Sequence, residues 1–140
     1  MRKRIVLVFA MLLLFSMALG KTIAVAGEPG LKPIAKYEGG LLYKAGKFNV
    51  VELHGNFRQM GRQYGNLLKD ELQKFYKRAI ADTLVKEKHL EYGAAKYVST
   101  MLFKRYPQRF KEILFGIAET SGLELEKVLV LNELVTLSHV

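Results

Sequence analysis

The apolar residues of this chain change their spacing at His54-Gly55-Asn56, and this change constrains the fold more than any other feature. Before it, the short apolar runs 41–43 and 48–53 are joined by Lys44-Ala45-Gly46-Lys47, a pattern typical of a β-hairpin. After it, apolar residues recur about every three and a half positions, which predicts amphipathic helices. The sequence therefore predicts an α+β fold, mostly α, in which an N-terminal β-hairpin is followed by about four helices.

The first predicted helix is the longest of the four. Asn56 is a good N-cap, and Gln59 stands three residues later, where its side chain completes a capping box. An apolar stripe then extends from Phe57 to Leu84. The other three helices are predicted from Tyr92 to Arg105, from Pro107 to a C-cap at Gly122, and from about Glu124 onward.

Gly61 and Gly65 stand four residues apart inside the first predicted helix. Each glycine costs roughly 1 kcal/mol relative to alanine in a helix interior. Because glycine has no Cβ, the pair predicts that another backbone approaches the helix closely at this turn. The alternative is a helix that is locally weak near its start.

The N-terminus has the organisation of a secretory signal peptide. A cationic head, residues 1–4, precedes an apolar run from Ile5 to Leu19, and Ala24-Val25-Ala26 is a small-residue cleavage site. We therefore expect cleavage after Ala26, with Gly20 as an earlier option, and a periplasmic or secreted product. The apolar run is short for a membrane span, which needs ~20 residues, so no stable span is expected after cleavage. The alternative is an uncleaved N-terminal anchor.

The remaining sequence divides into two parts. Residues 27–39 contain several glycines and prolines and predict an irregular lead-in. Residues 40–140 hold the hairpin and the helical segment. The stretch 134–140 is apolar almost throughout, and a lone hairpin is only marginally stable. We therefore expect residues 40–140 to be part of a larger domain that needs a partner surface.

The composition limits the chemistry that this chain can perform alone. It has 22 Lys+Arg against 13 Asp+Glu, three His and no Cys. The missing Cys excludes a disulfide scaffold, a thiolate metal site and a Cys nucleophile within the chain. Three scattered histidines leave little material for a metal centre, and no cofactor is expected. No Lys/Arg block with interleaved aromatic residues stands out, so nucleic acid is not an expected partner.

Four polar residues are candidates for a role near a functional site: Arg58, Arg62, Asn132 and Glu133. Asn132 and Glu133 interrupt an otherwise apolar helix, and the simple interpretation of all four is surface or helix-capping polarity. Ser138-His139 is not expected to act as a Ser/His pair, because adjacent residues rarely face each other and no orienting acid stands beside them. We assign no catalytic residue.

Two stretches carry a family resemblance. Residues 50–68 (VVELHGNFRQMGRQYGNLL) are similar to the strand, Gly, polar link and x-x-G-x-x-x-G-x-L-L opening of the acyl-coenzyme A:6-aminopenicillanic acid (isopenicillin N) acyltransferase-like family. Residues 116–133 (GIAETSGLELEKVLVLNE) resemble that family's G-I-A-E-x-x-G-x-x-x-E-x-x-x-x-L-N helix pair. The two stretches occur in the family's order.

The resemblance implies an αββα N-terminal-nucleophile hydrolase made as one precursor. In this family the precursor cuts itself immediately before a Cys, whose thiol and free α-amine then attack an amide or thioester carbonyl. That Cys begins a second, β chain shortly after the L-N element. This sequence has no Cys, so the resemblance implies the α-chain portion or a truncated product. Gly61, Gly65, Asn132 and Glu133 are expected to be structural or adjacent to the site, and the resemblance implies that Asn132 and Glu133 stand close to the scission point.

The resemblance therefore implies an α chain, or N-terminal fragment, of an amidohydrolase or acyltransferase that acts on linear amide C–N bonds, and the predicted signal peptide implies that it is exported. Its expected partner is a Cys-initiated β chain, from the same precursor or encoded separately. The alternative comes from another class of protein: a non-catalytic basic helical module that binds a protein partner or an anionic envelope surface.

Overall fold

The computed structural model describes residues 32–87, 89 and 91–137. The predicted signal peptide, its cleavage site, the beginning of the lead-in and Ser138-His139 lie outside these residues. The described chain starts with a sheet of three antiparallel strands in the order β1-β2-β3, and helices follow the sheet. The strands are β1 (Pro33–Tyr37), β2 (Gly40–Ala45) and β3 (Phe48–Glu52).

The predicted hairpin is present, as β2 and β3, but a further strand precedes it. β1 lies inside residues 27–39, where the sequence predicted an irregular lead-in, and that prediction was wrong for Pro33–Tyr37. Pro33 is compatible with a strand because it begins one at the edge of the sheet, next to a register shift between Pro33 and Ala35. Glu38 and Gly39 both have positive φ, as a tight two-residue hairpin turn requires.

The two faces of the sheet have different surroundings. Leu42 pairs with Val51, and the face that carries Gly40 and Leu42 is buried against the first helix. On the other face, Tyr43 pairs with Val50 and Ala45 with Phe48. Phe48 and Val50 are 63% and 41% exposed, so this outer face presents apolar side chains to solvent.

The helical part has more segments than the four that the sequence predicted. The capping box is present: Gln59 N donates to Asn56 Oδ1 (2.9 Å), and Asn56 N donates to Gln59 Oε1 (2.9 Å). The segments are α1 (Phe57–Leu67), α2 (Lys69–Tyr76), a π-helical segment (Lys77–Glu87), α3 (Tyr92–Arg105), α4 (Gln108–Ser121), α5 (Leu125–Asn132) and α6 (Leu134–Leu137).

The prediction of one long helix from Asn56 was wrong. The backbone leaves helical geometry at Leu68 (φ −115°, ψ 26°), so α1 has 11 residues and is shorter than α3 and α4, which have 14 each. The break allows α1 to lie against α4 while α2 turns Leu72 into the core. The predicted bounds of α3 are confirmed, as is the C-cap at Gly122, which has φ 74°.

The hydrophobic core lies among the helices. Its centre is Val130 on α5, which is fully buried, together with Ile80 of the π-helical segment. The other buried members come from every helical segment after α1 and, at Leu123, from the link between α4 and α5: Leu72, Leu84, Ala95, Leu114, Leu123, Val128, Leu129, Leu131 and Leu137. No helix in the described part of the chain is long and apolar enough to cross a bilayer.

Candidate functional site

α1 and α4 approach each other closely enough to exclude side chains between them. Gly61 and Gly65 are both buried on the face of α1 that meets α4. A Cβ on Gly65 would lie 2.7 Å from the backbone oxygen of Ile117, and one on Gly61 would lie under 3.0 Å from that of Ile113. The close backbone approach predicted from these two glycines is therefore present, with α4 as the neighbouring helix.

The approach is reciprocal, because α4 contributes a glycine as well. A Cβ on Gly116 would lie 2.7 Å from Arg62 N and under 3.0 Å from the carbonyl oxygen of Arg58. Thr120 Oγ1 also donates to the carbonyl oxygen of Arg62 at 2.7 Å. The two stretches that resemble the family therefore pack against each other, because α1 belongs to the first stretch and the end of α4 belongs to the second. The sequence contained a signal for this role of Gly116, since it is a third glycine inside a helix.

Arg58 and Arg62 form ion pairs beside this contact. Arg62 binds Glu38 (Nη2–Oε1, 2.7 Å) and Glu119 (Nη1–Oε2, 2.9 Å), and Arg58 binds Glu119 and also Glu112 (Nη1–Oε2, 3.1 Å). We call these five residues the arginine network. The network joins the β1–β2 turn, α1 and α4. The two arginines therefore do more than supply surface or helix-capping polarity, which was their simplest interpretation.

The arginine network shifts the pKa values of its members in the direction that favours the charged forms. The hydrogen bond from Arg58, and then that from Arg62, lowers the pKa of the Glu119 carboxyl below its usual value. The hydrogen bond from Arg62 likewise lowers the pKa of Glu38. These carboxylates stay ionised at neutral pH and serve as acceptors, so neither is a candidate general acid there.

Gln63 is a buried polar residue that the sequence analysis missed. Its side chain, which is 1% exposed, lies between the sheet and α1. Nε2 donates to the carbonyl oxygens of Glu38 (2.7 Å) and His54 (3.0 Å), and Oε1 accepts from His54 N at 2.8 Å. Gln63 therefore fixes the end of β3 and the β1–β2 turn to α1. Its position between Gly61 and Gly65, on the buried face, was the available signal.

Asn132 and Glu133 form a second polar cluster, with Tyr106. The Tyr106 hydroxyl donates to Glu133 Oε1, while Asn132 Nδ2 donates to the Tyr106 hydroxyl at 3.0 Å and to Glu133 Oε1 at 3.2 Å. Glu133 is only 7% exposed. The interpretation of these residues as surface or helix-capping polarity was wrong about the surface for Glu133, which is buried, but Glu133 does stand at the C-cap of α5. Nothing in the sequence around Tyr106 pointed to this partnership.

These groups can hold and orient other groups, but they do not contain an activated nucleophile. Glu133, Tyr106 and Asn132 supply a carboxylate, a phenol and a carboxamide. His54 is exposed at the end of β3, where Nε2 lies 3.1 Å from Glu52 Oε1. Within residues 32–87, 89 and 91–137, no three His, Cys, Asp or Glu side chains are grouped so that they could hold a metal ion.

The candidate residues chosen from the sequence thus lie in two places in the described structure. Arg58, Arg62, Gly61 and Gly65 lie at the α1–α4 contact, and Asn132 and Glu133 lie at the end of α5. The chain matches no family model, and the searches of curated proteins and of solved structures gave no match either.

Proposed function

We propose that this chain is the N-terminal, α-chain portion of a self-processing N-terminal-nucleophile enzyme that hydrolyses or transfers acyl groups at linear amide C–N bonds. The nucleophile is the thiol of a Cys that begins a second chain, and its own α-amine acts as the base. On this proposal the chain alone binds no cofactor and performs no catalysis. It supplies helices that support the second chain.

The observation that carries the proposal is the contact between the two resembling stretches. Gly61 and Gly65 belong to the first stretch and Gly116 to the second, and these glycines face each other's backbones. Glu119 of the second stretch binds both Arg58 and Arg62 of the first. Two sequence patterns that are far apart in the chain therefore act as one structural unit, which is what a shared family pattern requires.

The outer face of the sheet supports the second-chain part of the proposal. Phe48 and Val50 expose apolar surface there, and Ile34 on β1 is 61% exposed. A second layer of protein would remove these side chains from water, at about 25 cal/mol per Å² of apolar surface buried. The other face of the sheet already packs on α1, so this apolar face is the one that a covering chain would bury.

Asn132 and Glu133 have a specific role in the proposal. In the resembled family the scission point follows the L-N element closely. We infer that the Glu133 carboxylate and the Asn132 amide, held by Tyr106, orient the polypeptide around the nucleophile. Such donors and acceptors position reacting groups without taking part in bond formation.

The experiment compares two preparations: the chain alone, and the chain co-expressed with a candidate second chain that begins with Cys. The candidate second chain is encoded in frame after codon 140 or by a nearby gene. Penicillins and simple N-acyl amides are the substrates. The chain alone should show no turnover, and the two-chain complex should show turnover that is lost when its first Cys is changed to Ala. Turnover by the chain alone would contradict the proposal.

A further inference from the structure

The outward face of α3 combines apolar and cationic side chains. Tyr97 is 67% exposed and Met101 is 39% exposed, and their i,i+4 spacing places them side by side on the helix surface. Lys104 continues the same stripe one turn later, with Nζ 3.9 Å from Met101 Sδ. The opposite side of α3 carries the buried Ala95 and Ser99. α3 is therefore packed on one side and open on the other.

The basic residues of this region have no acidic residues among them. Residues 92–111 contain five Lys and Arg and no Asp or Glu, whereas residues 69–87 contain five basic and four acidic residues. Lys96 pairs with Glu126 on α5. The other four cations have no carboxylate partner in the part of the chain that the structure describes: Lys104, Arg105, Arg109 and Lys111.

The α3–α4 corner brings Lys111 next to the end of α3, which carries Lys104 and Arg105. Lys111 Nζ donates to the carbonyl oxygen of Lys104 at 3.0 Å and lies 5.7 Å from the centre of the Phe103 ring, so the start of α4 is tied to the end of α3. Lys104 and Arg105 are favourable at a helix C-terminus, where the dipole is negative. Arg109 and Lys111 stand at the positive end of α4, where the helix dipole opposes them, and no acidic residue occupies that turn. The contacts of Lys111 with α3 account for that charge within the fold. Arg109 lies over the Phe110 ring, 5.2 Å from its centre, and has no carboxylate partner in the described part of the chain.

We propose that this surface, which we call the α3–α4 basic face (Tyr97, Met101, Lys104, Arg105 and Arg109), docks on a membrane surface rich in anionic phospholipid. The cations match the lipid phosphates in charge. Tyr and Met beside them suit the boundary between headgroups and acyl chains, because the apolar parts of these side chains enter it while the tyrosine hydroxyl stays hydrated. This inference does not rest on the proposed enzymatic function.

The first test uses the absence of Trp from the sequence. Tyr97→Trp places a single fluorescent reporter on the α3–α4 basic face, and Phe48→Trp places a matched reporter on the exposed face of the sheet. Both reporters are made in the full chain, so that binding through the N-terminal segment affects both proteins equally. On phosphatidylglycerol-containing vesicles, Trp emission should shift to the blue and be quenched by brominated lipid in the Tyr97→Trp protein only.

The second test removes charge. Lys104→Gln, Arg105→Gln and Arg109→Gln together should weaken partitioning onto these vesicles by on the order of fivefold per charge, since each cation near an anionic membrane contributes to that extent. The matched control, Lys74→Gln with Lys77→Gln and Arg78→Gln, removes the same charge from an exposed surface that has acidic neighbours and should bind as the parent does. Thermal unfolding of both triple variants by circular dichroism checks that the fold is retained.

Three results would overturn the inference. The first is equal blue shifts for both reporters, or a shift only at the Phe48→Trp position. The second is unchanged binding of the Lys104/Arg105/Arg109 variant. The third is binding to a soluble polyanion such as polyglutamate as tight as that to the vesicles, because the apolar residues would then have no role.

Discussion

α3 and α4 have the same length, 14 residues, but they are held in the protein in different ways. α4 is fixed by backbone contact with α1 at Gly116, by ion pairs from Glu112 and Glu119, and by a left-handed Gly122 at its end. α3 has no side-chain cap at its N-terminus, buries only Ala95 and Ser99 completely, and leaves Tyr97 exposed.

This difference shows at which positions the fold dictates the type of residue. At the α1–α4 contact no side chain larger than glycine fits, so the fold fixes the residue type. On the outer side of α3 the fold imposes no such condition, and its Lys, Arg, Tyr and Met need another explanation. We therefore expect changes on α4, on its partner α1 or at the α3–α4 junction to cost more stability than matched changes on α3.

The largest effect is expected from alanine at the glycine contact. Gly61→Ala or Gly116→Ala forces the two backbones apart, and overpacking of this kind costs about 1–3 kcal/mol of unfolding free energy, and more where a backbone must move. Urea denaturation at neutral pH measures the change.

The control for this prediction is a glycine on α3. Gly93 has nothing within 4 Å of the position where its Cβ would stand. Gly93→Ala should therefore stabilise the chain by up to about 0.5–1 kcal/mol, through helix propensity alone. A Gly61→Ala protein as stable as Gly93→Ala would show that the α1–α4 approach is looser than described.

The second effect concerns the junction between α3 and α4. Tyr106→Phe removes the hydroxyl that donates to the buried Glu133 and accepts from Asn132. The loss leaves a buried carboxylate with one donor fewer, which costs about 1–3 kcal/mol. Tyr97→Phe is the control on α3, because it removes the same hydroxyl from a tyrosine that is 67% exposed, and it should leave stability close to that of the parent. Equal stability of Tyr106→Phe and the parent would count against the hydrogen bonds at Glu133.

Sequence reasoning succeeded where a single local rule decides the outcome. The capping box of Asn56 and Gln59, the C-cap at Gly122 and the close approach at Gly61 each follow from the chemistry of one or two side chains. It failed where distant contacts decide. Residues 27–39 became partly a strand because β2 pairs with them, and the helix breaks at Leu68 although its apolar pattern continues.

The candidate site shows the same division. The importance of Gly61 and Gly65 was visible in the sequence. The partners of Arg58 and Arg62, and Tyr106 as the partner of Glu133, stand 24 to 61 residues away along the chain. No local pattern reports such distances. The chemistry that the resemblance implies stays a prediction, because it depends on a nucleophile that this chain lacks.

The third effect compares a buried serine on each helix. Ser121 of α4 is fully buried, and its Oγ accepts from Leu123 N at 3.2 Å. Ser99 of α3 is 1% exposed, and its Oγ has no hydrogen-bond partner among the described residues. Ser121→Ala should therefore destabilise the chain by about 1 kcal/mol, whereas Ser99→Ala should leave its stability unchanged or raise it slightly. Melting temperatures of the two variants, measured together, check the order, and the reverse order would contradict the assignment of these hydroxyls.

The smallest effect is a dependence of stability on acid. The folded-state pKa of Glu119 and of Glu38 is lowered from 4.5 by the arginines, so their contribution is complete above about pH 4.5 and is lost as the pH falls through the lowered values. Glu119→Gln should reduce the loss of stability between neutral pH and acid. Glu91→Gln on the exposed start of α3, which has no ion-pair partner in the described residues, should not. Identical acid profiles for the two variants would show that the arginine network contributes nothing.

We propose that a Cys-initiated chain completes this protein, and the mass of the mature product of the gene tests this proposal most directly. The account predicts two chains, the second beginning with Cys, and a single uncut chain when that Cys is changed to Ala. A reading frame without such a Cys, with no separately encoded partner, would contradict the claim. So would a Cys-containing precursor that stays uncut.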